Sequence, residues 1–114
     1  MGTICFVILN YKTWREAAAC AESILKTQQG QDIRIVLVDN GSGNGSEESL
    51  REEFAGEKRV HVIASEKNLG FARGNNLGIR YARSHFEPDF IVAANRKITV
   101  RSCGKSIRKS ALIF

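Results

Sequence analysis

The chain has 114 residues, enough for one hydrophobic core and short for two. With 43% hydrophobic and 25% charged residues it has an ordinary globular composition, which excludes collagen-like and wholly disordered chains. Basic residues exceed acidic ones by 17 to 12, but the first 95 residues hold 11 basic and 12 acidic side chains, so overall charge is no sign of a nucleic-acid binder.

Residues 4–9 form a continuous apolar run rich in β-branched side chains, the pattern of a strand covered on both faces in a parallel sheet. Thr13 and Glu16 have the spacing of a capping box, and residues 14–27 carry Ala17, Ala18, Cys20, Ala21, Ile24 and Leu25 on one helical face, with Trp14 opening the helix against the core and Gly30 ending it. A second apolar run, residues 33–38, stops at Asp39. The following Asn40-Gly41-Ser42-Gly43-Asn44-Gly45-Ser46 reads as irregular, and residues 47–54 as a short helix behind a Ser46 cap. Residues 60–64 predict a third strand. Residues 71–84 predict a helix whose buried face holds Phe71, Leu77 or Asn75, Ala82 and Phe86; Pro88-Asp89 breaks it before a fourth strand over 90–94.

The β-α-β-α-β-α-β order with short connections predicts an open, mostly parallel α/β sheet with right-handed crossovers and flanking helices. Ligands of such sheets gather at the carboxyl ends of the strands, and all four predicted strands end there in polar or small residues.

The three cysteines (Cys5, Cys20, Cys103) include no CxxC pair, which disfavours structural zinc and a disulfide framework and fits a reducing cytosol; Cys5 and Cys20 are expected as buried thiols. No apolar stretch reaches membrane-spanning length, and residues 3–9 lack the basic start and cleavage pattern of a signal peptide.

Two segments can carry chemistry. Asp39 stands at the tip of a buried strand beside a glycine-rich turn, where a carboxylate can accept from a ribose hydroxyl pair or a base N–H, or can simply cap the turn. The segment lacks the lysine of a phosphate-cradling P-loop. In Asn68-Leu69-Gly70-Phe71-Ala72-Arg73-Gly74-Asn75-Asn76-Leu77-Gly78-Ile79, Gly70 frees a turn, the opening N–H groups of the next helix face an anion, and Arg73 adds positive charge. Gly74 and Gly78 form a smooth stripe that serves equally for close packing. His61 and His85 have no ligand-spaced partners, and Glu47, Glu48, Glu52 and Glu53 read as a solvated helix face.

Ile8-Leu9-Asn10-Tyr11, then Val38-Asp39-Asn40-Gly41-Ser42 with Gly45-Ser46, then the Asn68–Ile79 segment resemble, in order and spacing, the N-terminal half of a family 2 glycosyltransferase of the rhamnosyltransferase-like branch, with a Rossmann-like GT-A fold. The resemblance covers about residues 3–95 and implies transfer of a sugar, with inversion, from a UDP, GDP or dTDP donor in bacterial polysaccharide biosynthesis. It implies a donor site drawn from Asn10, Tyr11, Asp39, Asn68, Gly70, Arg73, Asn75 and Asn76. It also implies a lipid-linked or polysaccharide acceptor, and a cytoplasmic protein, peripheral at the inner face of the membrane.

Such enzymes hold Mg²⁺ or Mn²⁺ through an aspartate just after the fourth strand. Here Ala93-Ala94-Asn95 is followed by Arg96 and by Lys97 at the aspartate's position, and an ammonium cannot ligate a cation. Residues 96–114 then carry six basic side chains and no acid. The expectation is a nucleotide-sugar-binding half-domain over 1–95 and a basic tail over 96–114, read out of frame or else a natural tail with a substituted motif. Metal binding would be impaired, the truncated chain inactive, and an exposed sheet edge open to self-association. The alternative is a non-enzymatic binder whose basic tail engages nucleic acid or an acidic membrane surface.

Overall fold

A computed structural model describes residues 2–94; the expected tail, Asn95, Lys97 and Cys103 lie outside them. The elements follow the expected alternation: β1 (Thr3–Asn10), α1 (Trp14–Thr27), β2 (Asp32–Asn40), α2 (Ser46–Glu53), β3 (Val60–Ser65), α3 (Phe71–His85) and β4 (Phe90–Ala94). The four strands form one parallel sheet in the order β3-β2-β1-β4.

Side-chain parity explains why β1 and β2 are apolar along nearly their whole length. Ile4, Phe6 and Ile8 of β1 join Ile33, Ile35 and Leu37 of β2 under α1 and α2, together with Ala17, Ala21, Ile24 and Leu50. Cys5 and Val7 join Val36 and Val38 on the other face, beneath Ile79 and Ala82 of α3. Both faces of the sheet's centre are thus removed from water, and a polar side chain can stand on these strands only at their ends. Trp14 is partly buried against the first cluster, as expected.

Three local expectations are corrected. Thr13 precedes α1 but makes no side-chain cap; its hydroxyl lies 3.5 Å from Asn10 Oδ1 instead. The residue before α2 is Gly45, in the left-handed region at φ 86°, and Ser46 is the first helical residue, its hydroxyl donating to Asn44 Oδ1. The buried stripe of α3 is Gly74, Asn75, Gly78, Ile79 and Ala82, whereas Phe71 is 66% exposed. The stripe turned because α3 lies so close to the sheet. A Cβ on Gly78 would stand 2.5 Å from Val7 Cγ1 and 2.8 Å from Val38 Cγ2, and one on Gly74 2.7 Å from Leu9 Cδ1. Large side chains cannot fit under the helix, and Leu77 and Tyr81 flank it as partly buried residues.

Cys5 and Cys20 are buried, and burial pushes the Cys5 thiol up to about 12. Away from the carboxyl edge, His61 of β3 packs on Phe86, with ring centroids 4.8 Å apart, and its Nδ1 is 3.3 Å from Tyr81 Oη; the Tyr81 and His85 rings stack at 3.8 Å. Burial first, then the positive field of Arg34 and His85, hold the His61 pKa below its ordinary value of 6.5.

Two outcomes are expected. Gly78→Ala gains about 1 kcal/mol of helix propensity but incurs about 1–3 kcal/mol of overpacking, so urea denaturation should show net destabilisation, whereas Gly56→Ala, with open space around it, should be neutral. Because the fold resists protonating His61, the unfolded chain takes up that proton first. The stability contributed by neutral His61 is complete above 6.5 and lost as the pH falls through the lowered value; urea midpoints measured from pH 7.5 downwards should fall less steeply in His61→Gln.

Candidate functional site

Register brings the polar strand ends together at the carboxyl edge, with Asn10 opposite Asp39 and Asn40 opposite Ser65. Asp39 shares the face of Ile33, Ile35 and Leu37 and turns toward the α1/α2 side; Asn40 shares the face of Val36 and Val38 and turns toward α3. The two neighbours organise different loops.

Asp39 is only 4% exposed. Its Oδ1 accepts from Asn10 Nδ2 at 2.9 Å and from Ser42 Oγ at 2.5 Å. Ser42 Oγ also accepts from the Lys12 N–H at 2.7 Å, and Asn10 Oδ1 accepts from the Thr13 N–H at 3.2 Å. The turn leaving β1 and the loop leaving β2 are therefore tied through a buried carboxylate whose charge meets two donors on one oxygen. Lys12 itself adopts a left-handed φ of 65° to present its N–H. Each buried side-chain polar atom among the described residues has a partner.

Asn40 is 2% exposed and serves the opposite loop. Its Nδ2 donates to Asn68 Oδ1 at 3.1 Å and to the Gly70 carbonyl at 3.3 Å; its Oδ1 accepts from the Leu69 N–H at 3.0 Å. Asn68 Oδ1 closes the turn by accepting from the Gly70 N–H at 2.7 Å. Ser65 Oγ gives its proton to the Lys67 carbonyl at 2.8 Å and lies 3.4 Å from Asn40 Oδ1. Gly41, at φ 71°, runs against the Lys67–Asn68 backbone so closely that a Cβ would collide with Lys67 C.

Between the two loops opens a cleft of about 470 Å³ with Asp39, Gly41 and Ser46 on one side and Ser65 and Glu66 on the other; Glu47 and Glu48 also line it. The carboxylates of Asp39, Glu47, Glu48 and Glu66, with the Ser46 and Ser65 hydroxyls, make its side chains mainly acceptors. It suits a neutral ligand part rich in O–H and N–H donors, such as a ribose or a base edge, far better than a bare phosphate.

The expected site residues divide between this cleft and other places. Asn10 and Asp39 meet directly. Tyr11 follows Asn10 and is exposed, with Lys12 Nζ 5.2 Å from its ring centroid. Asn68 and Gly70 do not line the cleft; they follow its Ser65–Glu66 side in the chain and are bonded to Asn40. Asn75 is buried within α3 and donates to the Phe71 carbonyl at 3.1 Å. Arg73 and Asn76 line a separate groove of about 220 Å³ with Leu69, Leu77 and Arg80. The reading from the sequence missed Ser42 as an Asp39 donor and Asn40 as a loop anchor. Strand alternation carried to its last residue was the available signal for Asn40, since consecutive residues must face opposite ways.

No group of three His, Cys, Asp or Glu side chains that could hold a metal occurs among the described residues. Asp39, the buried carboxylate of the cleft, already has one oxygen engaged by two protein donors. The expected metal position at Asn95 and Lys97 lies outside the described residues.

Residues 5–95 match the family described as Glycosyl transferase family 2. The chain belongs to that family. It is 35% identical over 96 residues to the glycosyltransferase GlyG of Streptococcus pneumoniae serotype 4, an alignment spanning 81% of this chain and 32% of that protein. It is 30% identical over 76 residues to a chondroitin synthase of Escherichia coli, covering 67% of this chain and 11% of the synthase. It is 26% identical over 80 residues to a teichoic acid poly(glycerol phosphate) polymerase of Staphylococcus epidermidis, covering 69% and 11%. Among solved structures, a mannosyltransferase from Pyrobaculum calidifontis in complex with GDP-Man and Mn²⁺ superposes with a TM-score of 0.72 at 12% identity, over 93% of this chain and 31% of that one. The fold is therefore the Rossmann-like GT-A arrangement, and the chain spans about a third or less of the length of these relatives.

The polarity of the Asn40 bonds can be tested with two isosteric changes. Asn40→Asp replaces two donors by a carboxylate facing Asn68 Oδ1 and the Gly70 carbonyl, and should cost about 2–4 kcal/mol in urea denaturation. Asn68→Asp keeps an acceptor where Asn68 accepts from Asn40 and Gly70, and should cost less than about 1 kcal/mol.

Proposed function

We propose that this chain forms the nucleoside-binding part of a nucleotide-sugar donor site, in a glycosyltransferase that transfers the sugar with inversion. The observation that carries the reading is the buried Asp39 carboxylate, held by Asn10 and Ser42 at the head of an acceptor-lined cleft on the carboxyl edge of a parallel sheet. With Oδ1 fixed by protein donors, the carboxylate is oriented before a ligand arrives, so binding bears little of the cost of ordering it. Exposed Tyr11 stands beside this position and offers a flat apolar face to a base or ribose. The acidic cleft takes the nucleoside and leaves the diphosphate and sugar outside it, toward the ends of β1 and β4. The GDP-Man complex of the structural neighbour and the polymers named for two relatives support a nucleotide-sugar donor and a growing polymer such as a glycan as acceptor.

Inversion requires a base that deprotonates the acceptor as it attacks opposite the leaving nucleoside diphosphate. We assign that base to the part of the relatives this chain does not span, and the chain by itself to nucleotide binding without turnover. Residues 1–95 are then the donor half and 96–114 a basic tail read out of frame. The free, buried Cys5 thiol supports a reducing cytoplasmic location, with the enzyme peripheral at the inner face of the membrane.

Isothermal titration of the 114-residue chain with UDP, GDP and dTDP tests the site. At least one should bind, without dependence on Mn²⁺. Asp39→Asn keeps an oxygen for Asn10 and Ser42 but turns an amide toward the ligand, and should weaken binding about tenfold or more. Equal affinity of Asp39→Asn and the native chain refutes the assignment of Asp39. Turnover of a UDP-, GDP- or dTDP-sugar refutes the binding-only role.

A further inference from the structure

We propose that Asn40 is a positioning residue for donor binding: from behind the cleft it sets the distance between Asp39 and the Ser65–Glu66 wall by anchoring the residues that continue that wall, 68–70. The inference rests on reading the cleft as the nucleoside site. Asn40 is not among the residues lining the cleft, whereas its neighbour Asp39 and its register partner Ser65 both are. The wall segment is held in three ways that converge on the end of β2. Asn68 Oδ1 and the Gly70 carbonyl accept from Asn40 Nδ2, and the Leu69 N–H donates to Asn40 Oδ1. Ser65 Oγ also lies 3.4 Å from Asn40 Oδ1, whereas the bonds from Ser65 to Lys67 and from Gly70 to Asn68 stay inside the segment and give it shape. Gly41 then supplies the stop: its bare Cα lies against the Lys67–Asn68 backbone, so the wall is pulled in by Asn40 and seated on Gly41.

The geometry makes Asp39 and Asn40 one device. A single peptide unit separates the carboxylate that faces the ligand from the amide that holds the opposite wall, and strand pleating sends them to opposite faces. A nucleoside seated between Asp39 and the Ser65–Glu66 side therefore depends on bonds made by a residue it does not touch. Loss of those bonds lets the wall retreat, while Asp39, Asn10 and Ser42 remain in place on the other face.

The test uses the full chain, with circular dichroism confirming the fold of each variant. Titration with UDP, or with GDP or dTDP where the native chain binds that nucleotide instead, is combined with hydrogen exchange at the Leu69 amide; UDP below stands for the nucleotide so chosen. Asn40→Asp should bind UDP about tenfold more weakly than the native chain and exchange Leu69 faster. Asn40→Ser, which keeps one hydroxyl and is the fallback if the aspartate variant does not fold, should shift both in the same direction by less. Saturating UDP should slow Leu69 exchange in the native chain and have little effect in Asn40→Ser, a coupling that a merely stabilising side chain would not produce. If both variants bind UDP like the native chain, or if Leu69 exchange is unmoved, the positioning role is wrong even though the donor site stands. If the native chain binds none of UDP, GDP and dTDP, the donor-site reading fails and this inference fails with it.

Discussion

A sheet buried on both faces leaves its central strands no room for polar side chains except at their ends, and at the end of β2 that allowance is used twice in succession. Asp39 leaves the strand toward α1 and α2, Asn40 toward α3, and each is almost fully buried and bonded. The connection from β1 to α1 is fastened to Asp39 through Asn10 and Ser42. The connection from β3 to α3 is fastened to Asn40 through Asn68, Leu69 and Gly70. Three of the loops at the carboxyl edge thus take their positions from two adjacent residues. The most rigid part of the sheet becomes the reference for its most irregular part.

Glycine supports this arrangement by letting backbones approach, not by loosening the chain. Gly41 permits the β2 loop to touch the Lys67–Asn68 backbone, and Gly74 with Gly78 lets α3 settle onto Leu9, Val7 and Val38. The same three motifs that mark the family in the sequence therefore serve different ends. The Asp39 segment orients a carboxylate that lines the cleft and closes a loop contact. The glycines of the α3 segment are chiefly packing residues, and Arg73 and Asn76 lie in a groove apart from the cleft.

Much of the fold could be read directly because burial and periodicity coincide. The apolar runs of β1 and β2 extend as strands to Asn10 and Asn40, and α1 and β4 have the expected bounds. What could not be read depends on distances between elements. The placement of Phe71 in the core assumed a helix standing off the sheet by a large side chain, whereas the glycine stripe brings α3 close and turns Phe71 to solvent. The Thr13 and Ser46 caps failed because Asn10 and Asn44 compete for the same hydroxyls, and Asn44 stands two residues from its partner in a loop whose shape only the folded chain shows. For the site, Asp39 could be recognised from its place at a strand tip. Asn40, one residue further, was assigned to the irregular segment because the end of the apolar run was taken as the end of the strand.

Cys5 lies in the middle of this construction, between β2 and β4 and beneath α3, with its thiol pushed up to about 12. At neutral pH a group so shifted is ionised in only about one molecule in 10⁵, and burial also keeps reagents from it. Alkylation or oxidation at that sulfur must therefore wait for β1 to open. The sulfur carries no part of the recognition surface, yet its rate of modification would report how often the strand that bears Asn10 leaves its place.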